Sequence, residues 1–204
     1  MPQSITHTPW YKGKLAGQKP PLKPKEVWSI RVRLQIEGKT KELALFNLAI
    51  DSKLRSCDLV RLKVNDVAVG TRVKARAVIV QKKTGRPVPF ELMEPTRESL
   101  HAWIVWRGLQ PGDFLFPSRY GGVAYLSTRQ YARLVDRWIN SIGLDPSDYG
   151  THSLRRTKVA QIYRETGNLR AVQLLLGHTK IESTVRYLGI DADDALQLAE
   201  RVEL

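Results

Sequence analysis

The sequence holds a single cysteine, Cys57, and four histidines among 204 residues. One cysteine excludes an intrachain disulfide framework and fits a reducing compartment. No His/Cys/Asp cluster has metal-ligand spacing and no glycine-rich phosphate loop is present, so no metal and no nucleotide cofactor are expected. No apolar run approaches the roughly 18 residues that cross a bilayer; the richest stretches are Leu43–Ile50 and Ala102–Trp106. The opening Met1-Pro2-Gln3-Ser4 lacks the charged and apolar regions of a signal peptide. Neither secretion nor a membrane span is expected. Acidic residues are also scarce, 20 against 33 Lys and Arg.

What is present is enough for a real core: 42% of residues are hydrophobic, too many for a disordered basic tail. The net charge of +13 points to a polyanion, nucleic acid ahead of an anionic membrane surface. The excess is local. Residues 1–90 carry 19 Lys/Arg and 6 Asp/Glu, whereas residues 91–204 carry 14 of each. Residues 1–25 place Lys12, Lys14, Lys19, Lys23 and Lys25 among Pro20, Pro21 and Pro24. Such a segment reads as a mobile or extended arm, either solubilising or in contact with DNA.

Hydrophobic spacing makes the remainder mostly helical with one small antiparallel sheet near the middle. Helices are expected at 26–36, 41–50 and 55–63, the second with Leu43, Phe46, Asn47 and Ile50 on one stripe. Residues 72–91 alternate through Val73, Ala75, Ala77, Ile79, Val88 and Phe90, with a hairpin turn at Lys82-Lys83-Thr84-Gly85. Pro95 opens a helix to about Gly108. Ser127 is the N-cap expected for the clearest helix, with Tyr131, Leu134, Val135, Trp138, Ile139 and Ile142 on its apolar face and Gly143 as its stop. Further helices are expected at 152–166, 169–176, 180–187 and 192–202.

Three sites carry chemistry. His152 and Arg155, three apart on a helix, share a face and can reach one small anion, although basic helix faces often hold such a pair by chance. Gly177 suits a left-handed helix end, and Thr179 with Glu182 has capping-box spacing, so His178 is held at a tight junction between helices. A histidine filling an inter-helix gap would look the same. Tyr187, nine residues on, would alone be an ordinary amphipathic core residue.

Together they are specific. His152-x-x-Arg155, then Leu176-Gly177-His178, then Tyr187 resembles the C-terminal signature of the tyrosine recombinase, or phage integrase, family. Asp51-Ser52-Lys53-Leu54-Arg55-Ser56-Cys57-Asp58-Leu59 resembles that family's first box, and Lys83 before Thr84-Gly85 its hairpin lysine. The likeness runs over residues 25–190. It implies the DNA breaking-rejoining fold, mainly helical with a small antiparallel sheet, and six catalytic residues: Arg55, Lys83, His152, Arg155, His178 and the nucleophile Tyr187. The implied reaction is strand cleavage and rejoining through a 3′-phosphotyrosyl link, needing neither metal nor ATP. Arg55 and Arg155 suit it because a guanidinium stays charged and bonds phosphate oxygens in pairs. A phenol of pKa about 10 requires cationic surroundings to favour its phenolate. Lys83 is the expected general acid, with Lys82 as runner-up.

The sequence departs from the family in places. Asp58 stands where Glu is more common, as an expected partner that orients Arg55. Arg156 stands where a second histidine is common, and either contacts the DNA backbone or is solvated. Lys82 and Arg86 in the hairpin complete the expected DNA-contacting set with the arm lysines. Only some 25 residues precede the catalytic region at 26–190, where full-length members usually carry a helical core-binding domain. The chain is thus most similar to short bacterial recombinases such as fimbrial switch invertases. The family likeness implies double-stranded DNA bearing specific sites as partner, a homotetramer on DNA, and a cytoplasmic, nucleoid-associated enzyme. Residues 191–204, a final helix capped by Asp191, would pack on a neighbouring protomer or on their own chain. The competing readings are a DNA-binding accessory protein of this fold and a type IB topoisomerase-like nicking-resealing enzyme. A membrane-surface binder is weakest, because no helix pairs a basic face with a broad aromatic one.

Overall fold

The computed structural model describes residues 18–118 and 124–188. Helix α1 (Pro24–Ile36) starts where Pro24 sets the first turn and the Glu26 carboxylate accepts the Lys23 N–H at 2.8 Å. Helix α2 (Thr40–Ser52) follows, and its face from Ala44 to Ser52 is buried throughout. Short helices α3 (Ser56–Leu59) and α4 (Val64–Val67) lead into a small hairpin of β1 (Ala68–Val69) and β2 (Arg72–Val73). The longer hairpin pairs β3 (Arg76–Val80) with β4 (Pro87–Glu91), in register from Arg76 opposite Glu91 to Val80 opposite Pro87. Helices α5 (Glu94–Arg107), α6 (Thr128–Ser141), α7 (Thr151–Thr166), α8 (Leu169–Leu176) and α9 (Ile181–Leu188) complete the described order.

Alternation fixes which face of the long hairpin turns inward: Ala77, Val88 and Phe90 are buried while Val78 and Val80 face out. Helix α6 behaves as its sequence requires. Ser127 and Gln130 cap it reciprocally, at 3.1 and 3.0 Å, and Tyr131, Val135, Trp138 and Ile139 are buried. The main core gathers α1, α2, α5 and α6, with the Phe46 and Trp138 rings edge-to-face at 5.4 Å. A second, smaller core of Val159, Val172 and Leu176 joins α7 to α8, and Tyr187 and Leu188 pack against it. Among the described residues no helix is long and apolar enough to cross a membrane.

Four expectations change. The segment up to Lys25 is not a free arm throughout: Leu22 is buried, its N–H donates to Thr157 Oγ1 at 3.0 Å, and Lys23 to Lys25 already belong to the cap and first turn of α1. The helix expected over 55–63 stops at Leu59, because Leu62 turns into the core from the loop that follows and Val64 from α4. Val73 belongs to a separate two-stranded sheet rather than to the Lys82–Gly85 hairpin. The helix expected over 180–187 starts at Ile181, one residue later. Lys12, Lys14 and residues 191–204 lie outside the described residues.

Candidate active site

Arg55 is the residue before α3, placed there by a turn that begins at Lys53. Lys53 ends α2 with φ +54, the left-handed region that a side chain enters at a cost of about 1 kcal/mol. What holds it is charge. Its buried ammonium donates to both Glu91 oxygens at 2.7 Å and to the Asp51 carbonyl at 2.6 Å. Lys158 bridges the same pair, 2.7 Å from Asp51 Oδ1 and 2.8 Å from Glu91 Oε1. Asp51 Oδ2 in turn accepts from the Met93 N–H and the Thr96 hydroxyl. Burial pulls the Lys53 pKa down against the pull of Glu91, whereas Asp51 and Glu91 outweigh burial and raise that of Lys158. This ionic knot ties the end of α2, the end of β4 and the middle of α7. Arg55 is two residues from one of its corners and Arg155 three residues from another.

Arg155 leaves α7 into the interior, only 3% exposed. One Nη donates to the Leu176 carbonyl at 3.0 Å, and its buried Nε has no hydrogen-bond partner. Burial lowers its pKa to about 10, so the guanidinium remains charged at neutral pH. His152, one turn earlier, is exposed. Partial desolvation of its ring and the nearby Arg155, Arg156 and Arg55 charges keep its pKa below the usual value.

Gly177 ends α8 at φ +66, and only glycine fits: a Cβ there would stand 2.6 Å from Val88 Cγ2. The close approach brings β4 against α8 and aims His178 into the site. His178 Nδ1 lies 3.1 Å from the Thr184 hydroxyl, which α9 buries completely. Burial first, then Arg155 and Arg55, lower the His178 pKa to about 4. The ring is therefore neutral at neutral pH. Edge-on to it, at 5.5 Å between centroids, lies Tyr187.

Tyr187 is surrounded by cations. The guanidinium carbons of Arg156 and Arg155 lie 4.8 and 5.6 Å from its ring centroid, and its hydroxyl is 3.5 Å from the His152 carbonyl. The cations pull its pKa down, yet burial wins and the pKa is raised. The expected bias toward phenolate is thus absent in the free chain, because burial of the tyrosine outweighs the cations around it.

The structure brings Arg55, His152, Arg155, His178 and Tyr187 to one place. Lys82, Lys83 and Arg86 are exposed in the hairpin turn beside it. Asp58 is displaced from its expected role: Oδ1 accepts the Lys82 N–H at 2.9 Å, fixing the start of the turn, and Oδ2 has no partner. Arg55 instead donates to Gln81. Arg156 is a second correction. It is 6% exposed, and its two Nη groups donate to the Lys19 carbonyl and the Gln18 side chain. Gln18 also reaches the Arg186 carbonyl, and Lys19 Nζ the Tyr149 carbonyl. Residues 18–19 thereby strap α9 to α7, so Arg156 is committed within the chain and Lys19 has an internal partner. Lys23 and Lys25 stay exposed. Gln81, Lys53, Glu91 and Lys158 were not foreseen. The i, i+3 step from Arg155 to Lys158 and the i, i+2 step from Gln81 to Lys83 were visible signals. Among the described residues no three His, Cys, Asp or Glu side chains gather where they could hold a metal ion.

The phage integrase family model matches residues 22–193. The integrase/recombinase YoeC of Bacillus subtilis, named as probable, is 27% identical over 153 residues, 75% of this chain and 80% of its own. Tyrosine recombinase XerC of Haemophilus influenzae is 31% identical over 153 residues, 74% of this chain and 50% of its own. The chain spans about half the length of such XerC relatives. Among solved structures, XerA recombinase superposes with a TM-score of 0.73 at 18% identity, over 93% of this chain and 66% of that one. The XerH site-specific recombinase in a post-cleavage complex with a palindromic difH substrate gives 0.70 at 21% identity, over 89% and 53%.

Proposed function

Since the chain belongs to the phage integrase family and has the fold of tyrosine recombinase catalytic domains, we propose that it is a site-specific DNA recombinase. The observation that carries this reading is the enclosure of one tyrosine by Arg155, Arg156 and His178, with a buried Arg155 Nε left unpaired. A buried donor without a partner costs about 1–3 kcal/mol. A DNA phosphate supplies the missing acceptor.

The chemistry follows from the groups present. The scissile phosphate sits against Arg55 and Arg155, which neutralise charge growing on its nonbridging oxygens, and His152 adds a neutral donor. Tyr187 Oη attacks phosphorus as the bond to the 5′-oxygen breaks. The phenolic proton passes to the neutral His178 ring, and Lys83 at the hairpin tip protonates the leaving oxygen. The products are a 3′-phosphotyrosyl link and a free 5′-hydroxyl. Attack by another strand's 5′-hydroxyl reverses the step and restores a phosphodiester. The bond energy is kept in the link throughout. Double-stranded DNA with specific sites is the partner, bound by a homotetramer in the cytoplasm and at the nucleoid.

The test uses the full chain and nicked suicide duplexes drawn from the DNA flanking its own gene. A covalent protein–DNA species should form in EDTA without ATP, with release of a 5′-hydroxyl oligonucleotide. DNA binding with no adduct on any duplex would instead support an accessory DNA-binding protein.

A further inference from the structure

Gln81 is 1% exposed, and every polar group it has is used. Its side-chain oxygen accepts from an Arg55 Nη and from the Thr84 hydroxyl, the latter at 3.2 Å. Its side-chain nitrogen donates to the Leu176 carbonyl at 3.4 Å, the same carbonyl that takes the Arg155 Nη. Its backbone N–H donates to Arg86 O at 2.9 Å and its carbonyl accepts the Gly85 N–H at 2.8 Å, closing the turn that carries Lys83. The amide can face only one way. A guanidinium donates and never accepts, so the oxygen must face Arg55 and the NH₂ must find an acceptor on the other side. A buried amide is costly unless satisfied in this manner.

One side chain therefore touches the Arg55 loop, the hairpin, and the last turn of α8 from which Gly177 and His178 leave. We propose that Gln81 is a positioning residue that locks Arg55, the Lys83 hairpin and the Arg155–His178 junction into one geometry. The proposal rests on the recombinase reading for its consequence, though not for its phosphate-binding part. Neutrality is central to it. A carboxylate at this place would hold Arg55 equally well but cancel its charge, leaving less for a phosphate. An amide orients the guanidinium and keeps the full positive charge available.

Two variants of the full chain separate these properties: Gln81→Met, near in volume with no hydrogen bonds, and Gln81→Glu, which keeps the acceptor and adds charge. The first readout needs no DNA. Inorganic phosphate is titrated while NMR follows the His152 and His178 ring protons. Both variants should bind phosphate about fivefold to tenfold more weakly, the loss of about one charge-assisted contact. Unchanged affinity in both overturns the proposal, whatever the chain does to DNA. The second readout is single-turnover cleavage of a suicide duplex. Gln81→Met should be slowed about tenfold to a hundredfold, as misplacement by an ångström does, with DNA affinity within about twofold. Replacing the bridging 5′-oxygen by sulfur, a leaving group that needs no proton, should rescue Lys83→Ala and leave Gln81→Met slow. Full rescue of Gln81→Met would confine it to the hairpin and overturn the three-way role. A wild-type chain that forms no adduct defeats the recombinase reading alone, and the phosphate titration still decides the role of Gln81.

Discussion

Arg155 and Lys83 stand on opposite sides of the site and at opposite ends of a range of restraint. Arg155 is buried, bonded to the end of α8, and three residues from a knot of four charges. Lys83 lies exposed in a turn anchored only at its base, by Gln81 and by Asp58 on the Lys82 N–H. The division follows the chemistry each side must do. Stabilising a transition-state charge requires fixed donors, which lose their advantage if they must reorganise. Delivering a proton to a strand that must enter and leave allows a mobile group.

Breaking the fixed side should cost most. Arg155→Ala should slow single-turnover cleavage by about 10³, and weakly bound DNA should not account for it when saturating chain is used. A loss of only a few-fold would mean that the buried guanidinium does not meet the phosphate. On the mobile side, Lys83→Ala should cost about 10². Lys82→Ala should mainly weaken DNA binding, and the reverse ranking would exchange the two lysines.

The frame behind the fixed side can be broken without touching the site. Glu91→Gln removes the carboxylate partner of the buried Lys53 ammonium and should destabilise the chain by about 3 kcal/mol in urea unfolding. An unaffected midpoint would mean that the knot is solvated. The last effect concerns pH. The His178 pKa is held at about 4 in the folded chain against about 6.5 when unfolded. Between these values the unfolded chain takes a proton that the folded chain refuses, so stability falls as pH drops through that window. His178→Asn should flatten this loss, and a phosphate in the site should raise the lower edge of the window and so narrow it.

Much of this was legible in the sequence because it depends on local chemistry. The α6 stripe, the Ser127 cap, the Gly177 break and the 169–176 helix follow from periodicity and from which residues tolerate a left-handed φ. The spacing of His152, Arg155, His178 and Tyr187 was legible as a pattern, and the structure brings these residues together. What escaped were contacts across the chain. Lys53 and Glu91 are 38 residues apart and Asp51 and Lys158 are 107 apart, so no local rule pairs them. Arg156 read as a surface arginine because nothing nearby announces that Gln18 and Lys19 fold back onto it. Asp58 missed Arg55 for a related reason: the hairpin, distant in sequence, supplies a better-placed donor in the Lys82 N–H.

The central claim is that this frame exists to present Tyr187 to a phosphate. The direct measurement is covalent trapping by Tyr187→Phe beside the wild-type chain on one suicide duplex, with DNA affinity determined for both. Adduct from the wild type and none from the variant, at affinities within about threefold, is the predicted result. An adduct that persists in Tyr187→Phe would remove the tyrosine from its role and contradict the account.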